Sequence, residues 1–108
     1  MRELTQISEF QQLLDSDKPF VIWFGATWCG PCRDVDAAEV EKQAKRLGLA
    51  IFHCDVDAGK KIAAACNVNK IPTFMSFING EPDRKITTSI TPAITGFLEQ
   101  VAERANPQ

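Results

Sequence analysis

The chain has 108 residues, four of them cysteine, with 44% apolar and 24% charged side chains and a formal net charge of −2. That length is enough for one domain, spanning residues 1–108, with a single hydrophobic core and no need of disulfide staples. The small charge excludes an electrostatic case for nucleic acid or an anionic membrane surface, and no run of about 18 apolar residues exists to cross a bilayer. The first residues, Met1-Arg2-Glu3-Leu4, lack the apolar core of a secretory signal. A reducing, cytoplasmic setting is therefore expected, which favours catalytic over structural cysteines.

Arg2 to Thr5 reads as a short edge strand. Ser8 is expected to cap a helix, with Gln11 completing a capping box and Phe10, Leu13 and Leu14 on its buried face. After Lys18-Pro19, Phe20 to Gly25 is almost continuously apolar, as in a central strand covered on both sides. Trp28-Cys29-Gly30-Pro31-Cys32 follows, and an amphipathic helix is predicted from Cys32 onward. Ala37, Val40, Ala44 and Leu47 form its buried stripe, and Gly48 ends it. Leu49 to Val56 reads as a second buried strand. Asp57 is expected to cap a short helix in which Ile62, Ala65 and Cys66 share a face, with Asn67 closing it in the left-handed conformation. Thr73 to Ile78 is a third strand, and Asn79-Gly80 turns it into an antiparallel partner around Lys85 to Ile90. Thr91 as N-cap and Pro92 at the first position open the last helix, whose stripe is Ile94, Phe97, Leu98, Val101 and Ala105. Strands alternating with helices, then a hairpin and a helix, imply an α/β fold with a mixed sheet covered on both faces.

The chemistry lies at the turn between the first long strand and its helix. A helix N-terminus presents unpaired N–H groups and the positive end of the macrodipole, which stabilise an anion. Cys29 is placed to ionise below the ~8.5 of a free thiol, and Cys32 returns to the same end of the helix three residues later. The pair reads as a disulfide that opens and closes, with Cys29 nearer solvent. A zinc half-site is the competing reading; it needs four ligands, and Cys54 and Cys66 are the remaining cysteines. Those two read more simply as buried packing residues, with a regulatory role as the alternative. His53, the single histidine, reads as a satisfied structural residue in an apolar strand.

The pentapeptide Trp28-Cys29-Gly30-Pro31-Cys32, with Ile71-Pro72-Thr73 and Asn79-Gly80 at matching spacing, resembles the thioredoxin family over Ile7 to Val101. The resemblance implies a thioredoxin fold with a sheet of four to five strands. It implies a protein disulfide reductase in which Cys29 attacks a target disulfide and Cys32 resolves the mixed disulfide. It also implies a cis bond before Pro72, facing the cysteines, and a substrate-docking surface made by Trp28, Gly30, Pro31, Ile71 and Pro72. The implied partners are disulfide-containing proteins and a thioredoxin-reductase-like or other dithiol reductant, with the chain acting as a monomer. No cofactor is expected, since no Gly-x-Gly-x-x-Gly stretch is present, and no metal, since a second C-x2-C pair is missing. A thioredoxin-fold adaptor with a dispensable dithiol is the alternative.

Three positions depart from the family's pattern. Ala37 stands where its helix usually has proline, which puts the family's bend in question. Thr88 stands for a glycine facing the site, where a side chain would crowd the substrate groove. Trp23 stands for the buried aspartate that assists proton transfer from the second cysteine. With Trp23 offering only a donor N–H, resolution is expected to be slow and to quicken as pH rises.

Overall fold

The apolar run Phe20–Gly25 is buried at all six positions in the computed structural model, which describes residues 1–106. Among those residues the chain forms β1 (Arg2–Glu3), α1 (Ile7–Asp15), β2 (Phe20–Gly25), α2 (Ala37–Arg46), β3 (Ala50–Asp55), α3 (Lys60–Ala65), β4 (Thr73–Ile78), β5 (Glu81–Thr87) and α4 (Thr91–Ala105). A 3-10 turn, Pro31–Asp34, separates β2 from α2. The sheet order is β1-β3-β2-β4-β5. β1 and β2 run parallel to β3, and β4 runs antiparallel to β2 and β5.

Side chains alternate across a strand, so β2 feeds two cores. Phe20, Ile22 and Phe24 enter one, with Phe10 of α1, Ile62 of α3, Cys54 and Cys66. Val21 and Trp23 enter the other, with Val40 and Ala44 of α2 and Ile94, Leu98 and Val101 of α4. This two-sided demand for apolar residues explains the unbroken run in the sequence. The edge strands need no such run, and β5 is mostly exposed.

Several expected boundaries shift for local reasons. Gln6, not Ser8, precedes α1, and the Glu9 carboxylate accepts from the Gln6 N–H at 3.2 Å; Ser8 lies inside the helix. β3 is only half-buried, with Cys54 its one buried member, because β1 covers its outer side for just two residues. Gly59 precedes α3, and Asp57 does not cap it; Ala63 joins Ile62 and Cys66 inside, while Ala65 is exposed. Asn67 does take the left-handed conformation that closes α3. Asn79 and Gly80 both have positive φ, as a tight hairpin turn requires, and β5 starts directly after them. β5 ends at Thr87, so the Thr88 to Ile90 part of the expected strand is loop. Ile90 precedes α4, so Pro92 is the second helical residue and Thr91 the first. Ala105 is only partly buried at the end of the α4 stripe.

One polar tie holds β5 to α4. Ser76 is fully buried on β4; its hydroxyl donates to Asp83 at 2.7 Å and accepts from the Arg84 N–H at 3.0 Å. Arg104 grips the same carboxylate with two nitrogens, at 2.8 and 3.0 Å. That grip, with the Ser76 bond, holds Asp83 below the usual carboxylate range.

Candidate active site

The helix expected to start at Cys32 is interrupted. Pro31–Asp34 is a 3-10 turn, Val35 and Asp36 are extended, and α2 begins at Ala37. Asp36 causes the break. Its carboxylate accepts from the Glu39 N–H at 3.1 Å, and its own N–H is taken by the Thr91 hydroxyl at 3.0 Å. Val35 meanwhile turns into the core shared by α2 and α4. The chain therefore bends ahead of Ala37 without a proline, and Ala37 is exposed rather than part of the buried stripe. At the other end Gly48, with positive φ, lets the Gly48 and Leu49 N–H groups reach Lys45 and Ala44, closing α2.

This geometry revises the electrostatics of the dithiol. Cys29 does not sit on the dipole of a multi-turn helix. Its sulfur is instead contacted by one N–H, that of Cys32, at 3.3 Å. Cys29 and Cys32 form a disulfide with Cα atoms 5.4 Å apart. They are 4% and 8% exposed, so exposure does not single out Cys29 as the outer thiol. The expectation that Cys29 lies nearer solvent is not met; the two differ instead in their surroundings, Cys29 having the backbone donor and Cys32 lying against the end of β2. Ala26, Val56 and Ile71 complete the apolar seat of the pair.

Ile71–Pro72 is cis, as expected, with Pro72 buried and its carbonyl accepting from the Thr88 N–H at 3.2 Å. Trp28 is 65% exposed, and Asp57, the residue expected to cap α3, accepts from its indole N–H at 2.7 Å. Trp28 and Ile71 share a groove of about 470 Å³ with Val56, Val68, Lys70 and Thr87. Gly30 and Pro31 are exposed on the turn beside the disulfide. Thr88 thus sits against Pro72 at the site, and its hydroxyl accepts from the Ile90 N–H at 3.1 Å. Asp55 receives the Ala58 and Asp57 N–H groups, which hold its carboxyl below the usual range and fix the loop carrying Asp57.

The other two cysteines lie in the α1–α3 core, apart from the dithiol cluster. Burial pushes the Cys54 thiol up to about 12 and the Cys66 thiol up to about 11. Four sulfurs do not converge, and the described residues contain no cluster of three or more His, Cys, Asp or Glu able to hold a metal. His53 is paired through Nδ1 with Glu3, a partner the sequence did not reveal.

A thioredoxin family model matches residues 2–100. The chain belongs to the thioredoxin family. Rabbit (Oryctolagus cuniculus) thioredoxin is 39% identical over 75% of this chain and 79% of its own length. The bifunctional thioredoxin reductase/thioredoxin of Mycobacterium leprae is 40% identical over 78% of this chain, which is 19% of that longer protein. Among solved structures, oxidised mitochondrial thioredoxin 3 of Saccharomyces cerevisiae superimposes with a TM-score of 0.83 at 31% identity, covering 93% of this chain and 94% of that one. With the Cys29–Cys32 disulfide, this family membership makes the chain a thioredoxin-like protein disulfide reductase, an oxidoreductase acting on disulfide substrates with an external reductant.

Proposed function

We propose that Cys29 is the nucleophile and Cys32 the resolving thiol, with substrate held by Trp28, Gly30, Pro31, Ile71 and Pro72. The observation carrying this reading is the Cys32 N–H on Cys29 sulfur, beside the groove that contains Trp28 and Ile71. A backbone donor at 3.3 Å stabilises negative charge on Cys29 when the disulfide is open. Cys29 thiolate attacks one sulfur of the target disulfide and the other target sulfur leaves as thiolate. Cys32 thiolate then attacks Cys29 sulfur, the bond to the target breaks, and the target is released fully reduced. Two electrons have passed to the target, and the chain holds its own disulfide.

An electron carrier of this kind needs a reductase to reopen the bond. A thioredoxin-reductase-type partner is the proposal, supported by the mycobacterial relative in which the two activities share one polypeptide. A reducing, cytoplasmic setting is proposed because Cys54 and Cys66 are buried free thiols. A monomer is proposed because the large apolar side chains exposed among the described residues are few, namely Met1, Trp28 and Ile90. The test is reduction of a protein disulfide driven by a small dithiol and then by candidate reductases, at a molar mass measured by light scattering. Cys29→Ser should abolish turnover, and Cys32→Ser should accumulate a mixed disulfide with substrate. Trapping by Cys29 alone in a Cys32→Ser protein supports the assignment; alkylation of Cys32 before Cys29 in the wild type reverses it.

A further inference from the structure

Cys32 sulfur, the one that resolves on the reading above, has polar company at Gly25. A methyl group on that glycine would meet His53 Nε2 at 3.1 Å, Cys32 Sγ at 3.4 Å and Trp23 Nε1 at 3.5 Å. Three polar atoms from β2, β3 and the 3-10 turn therefore surround one position where a side chain is missing. Gly25 keeps that passage open.

The sheet sets this meeting up. Trp23 pairs with His53 across the parallel β2–β3 ladder, and their rings meet edge to face with centroids 4.9 Å apart. Glu3 pairs with the same His53 across β1–β3, and its carboxylate engages Nδ1. An imidazole whose Nδ1–H is given to a carboxylate presents Nε2 as an acceptor, and this one presents it toward Cys32. The distances through Gly25 keep Nε2 and Sγ within roughly 6.5 Å of each other, and one water with two hydrogen bonds spans about 5 Å of that. A cleft of about 490 Å³, bordered by Glu3, Trp23, Ala37, Ala38, Glu41 and His53, opens beside the ring. The buried Trp23 indole N–H, which has no hydrogen-bond partner among the described residues, lies beside the same open position at Gly25.

We propose that the Glu3–His53 pair exchanges the proton of Cys32, in the place of the buried carboxylate that Trp23 replaces. This rests on the reading of Cys32 as the resolving thiol. In the mixed disulfide, His53 Nε2 takes the Cys32 proton, directly or through one water, and Glu3 balances the imidazolium. Cys32 thiolate attacks Cys29 sulfur and the Cys29–target bond breaks, its electron pair leaving on the target sulfur. That thiolate recovers a proton, and His53 returns to neutral. Trp23 is a positioning residue: its ring meets that of His53 edge to face and holds it beside Gly25.

The test separates the two chemical steps. Mixed-disulfide formation is followed in a Cys32→Ser background, and decay of the mixed disulfide in the intact dithiol protein, both against pH. His53→Gln should leave formation unchanged and slow decay about 10- to 100-fold at neutral pH, with the deficit closing once Cys32 ionises unaided. Glu3→Gln should slow decay less, by about 3- to 10-fold. The charged and titratable groups facing this site are Glu3, Cys32, Asp55 and Glu41, the last paired with the chain's amino group. The profile of each variant is therefore compared with wild type rather than read alone.

A second readout needs no variant. His53 is the single histidine, so its ring resonances are unambiguous, and its titration midpoint should differ between the disulfide and dithiol forms. Equal midpoints in the two forms, or a folded His53→Gln protein with the wild-type decay profile, would overturn the proposal. A Cys32→Ser protein that traps no substrate would remove the resolving role of Cys32 itself, and the proposal with it.

Discussion

Cys29 and Cys32 keep 4% and 8% of their surface exposed, and Cys54 and Cys66, in the α1–α3 core, keep 0% and 4%. By burial alone the two pairs are nearly equivalent. Their partners differ in sign. Cys29 sulfur receives an N–H, and Cys32 sulfur shares the open position at Gly25 with the His53 and Trp23 ring nitrogens. Cys54 sulfur faces the carbonyls of Gly59 and Asp55, at 3.7 and 3.8 Å, which accept from a thiol and repel a thiolate. Burial raises the Cys54 and Cys66 thiols first, and the carbonyls that face Cys54 offer a thiolate nothing in return, whereas the dithiol has an N–H donor to offset its burial.

The harshest way to break this contrast is to exchange the roles of the pairs by deletion. With Cys29 as the proposed nucleophile, Cys29→Ser should lower turnover with a protein disulfide by more than about 1000-fold. The Cys54→Ala/Cys66→Ala protein should stay within about five-fold of wild type, while losing about 1–3 kcal/mol of stability through lost packing. A folded double variant without turnover would erase the distinction drawn here.

Stability against pH sharpens it. An unfolded thiol ionises near 8.5, whereas burial holds Cys54 and Cys66 protonated in the folded protein up to about 12 and about 11. Above ~8.5 the unfolded chain binds fewer protons than the folded one, so stability falls as pH rises toward the folded values. The slope reaches at most about 1.4 kcal/mol per thiol per pH unit, and below ~8.5 the contribution is fully present. Urea denaturation between pH 8 and 10 should show this slope in the wild type and a smaller one in the double alanine protein.

The backbone around Cys54 offers a finer probe. A Cβ on Gly59 would lie 2.6 Å from Cys54 sulfur and 3.0 Å from the Leu4 carbonyl, so Gly59→Ala should destabilise by about 1–3 kcal/mol. Adding Cys54→Ala should restore part of that loss, because the closer of the two clashes disappears. Strictly additive losses would show that the two groups do not press on one another.

The smallest expected effect lies on the dithiol side. Asp57→Ala removes the acceptor of the Trp28 indole and should raise KM for a protein substrate about 2- to 5-fold, with stability within about 1 kcal/mol of wild type. An unchanged KM would mean that the exposed Trp28 ring needs no anchor to meet substrate.

The residues differed in how openly they announced themselves. Phe20–Gly25 and Thr73–Ile78 were legible because a central strand must satisfy two cores at once. Asn79-Gly80 was legible because few residues accept positive φ at successive positions. The break before α2 also had a signal, Asp36 followed three residues later by Glu39, which the apolar stripe from Ala37 obscured. Asp57 was misassigned because an aspartate before a short helix suits a cap, whereas the Trp28 indole claims its carboxylate from across the fold.

By itself, the sequence determined the dithiol turn, the order of strands and helices, and the faces of the main helices, because each depends on neighbours within a few residues along the chain. Only the tertiary structure decided what those parts meet. The pairing of Glu3 and Trp23 with His53 is a matter of register between β1, β2 and β3. That register is set by the simultaneous packing of both cores, since a slip of one residue would exchange the two faces of every strand involved. The surroundings of Cys32 follow from that packing, and no local pattern around Trp23, Gly25 or His53 could have specified them.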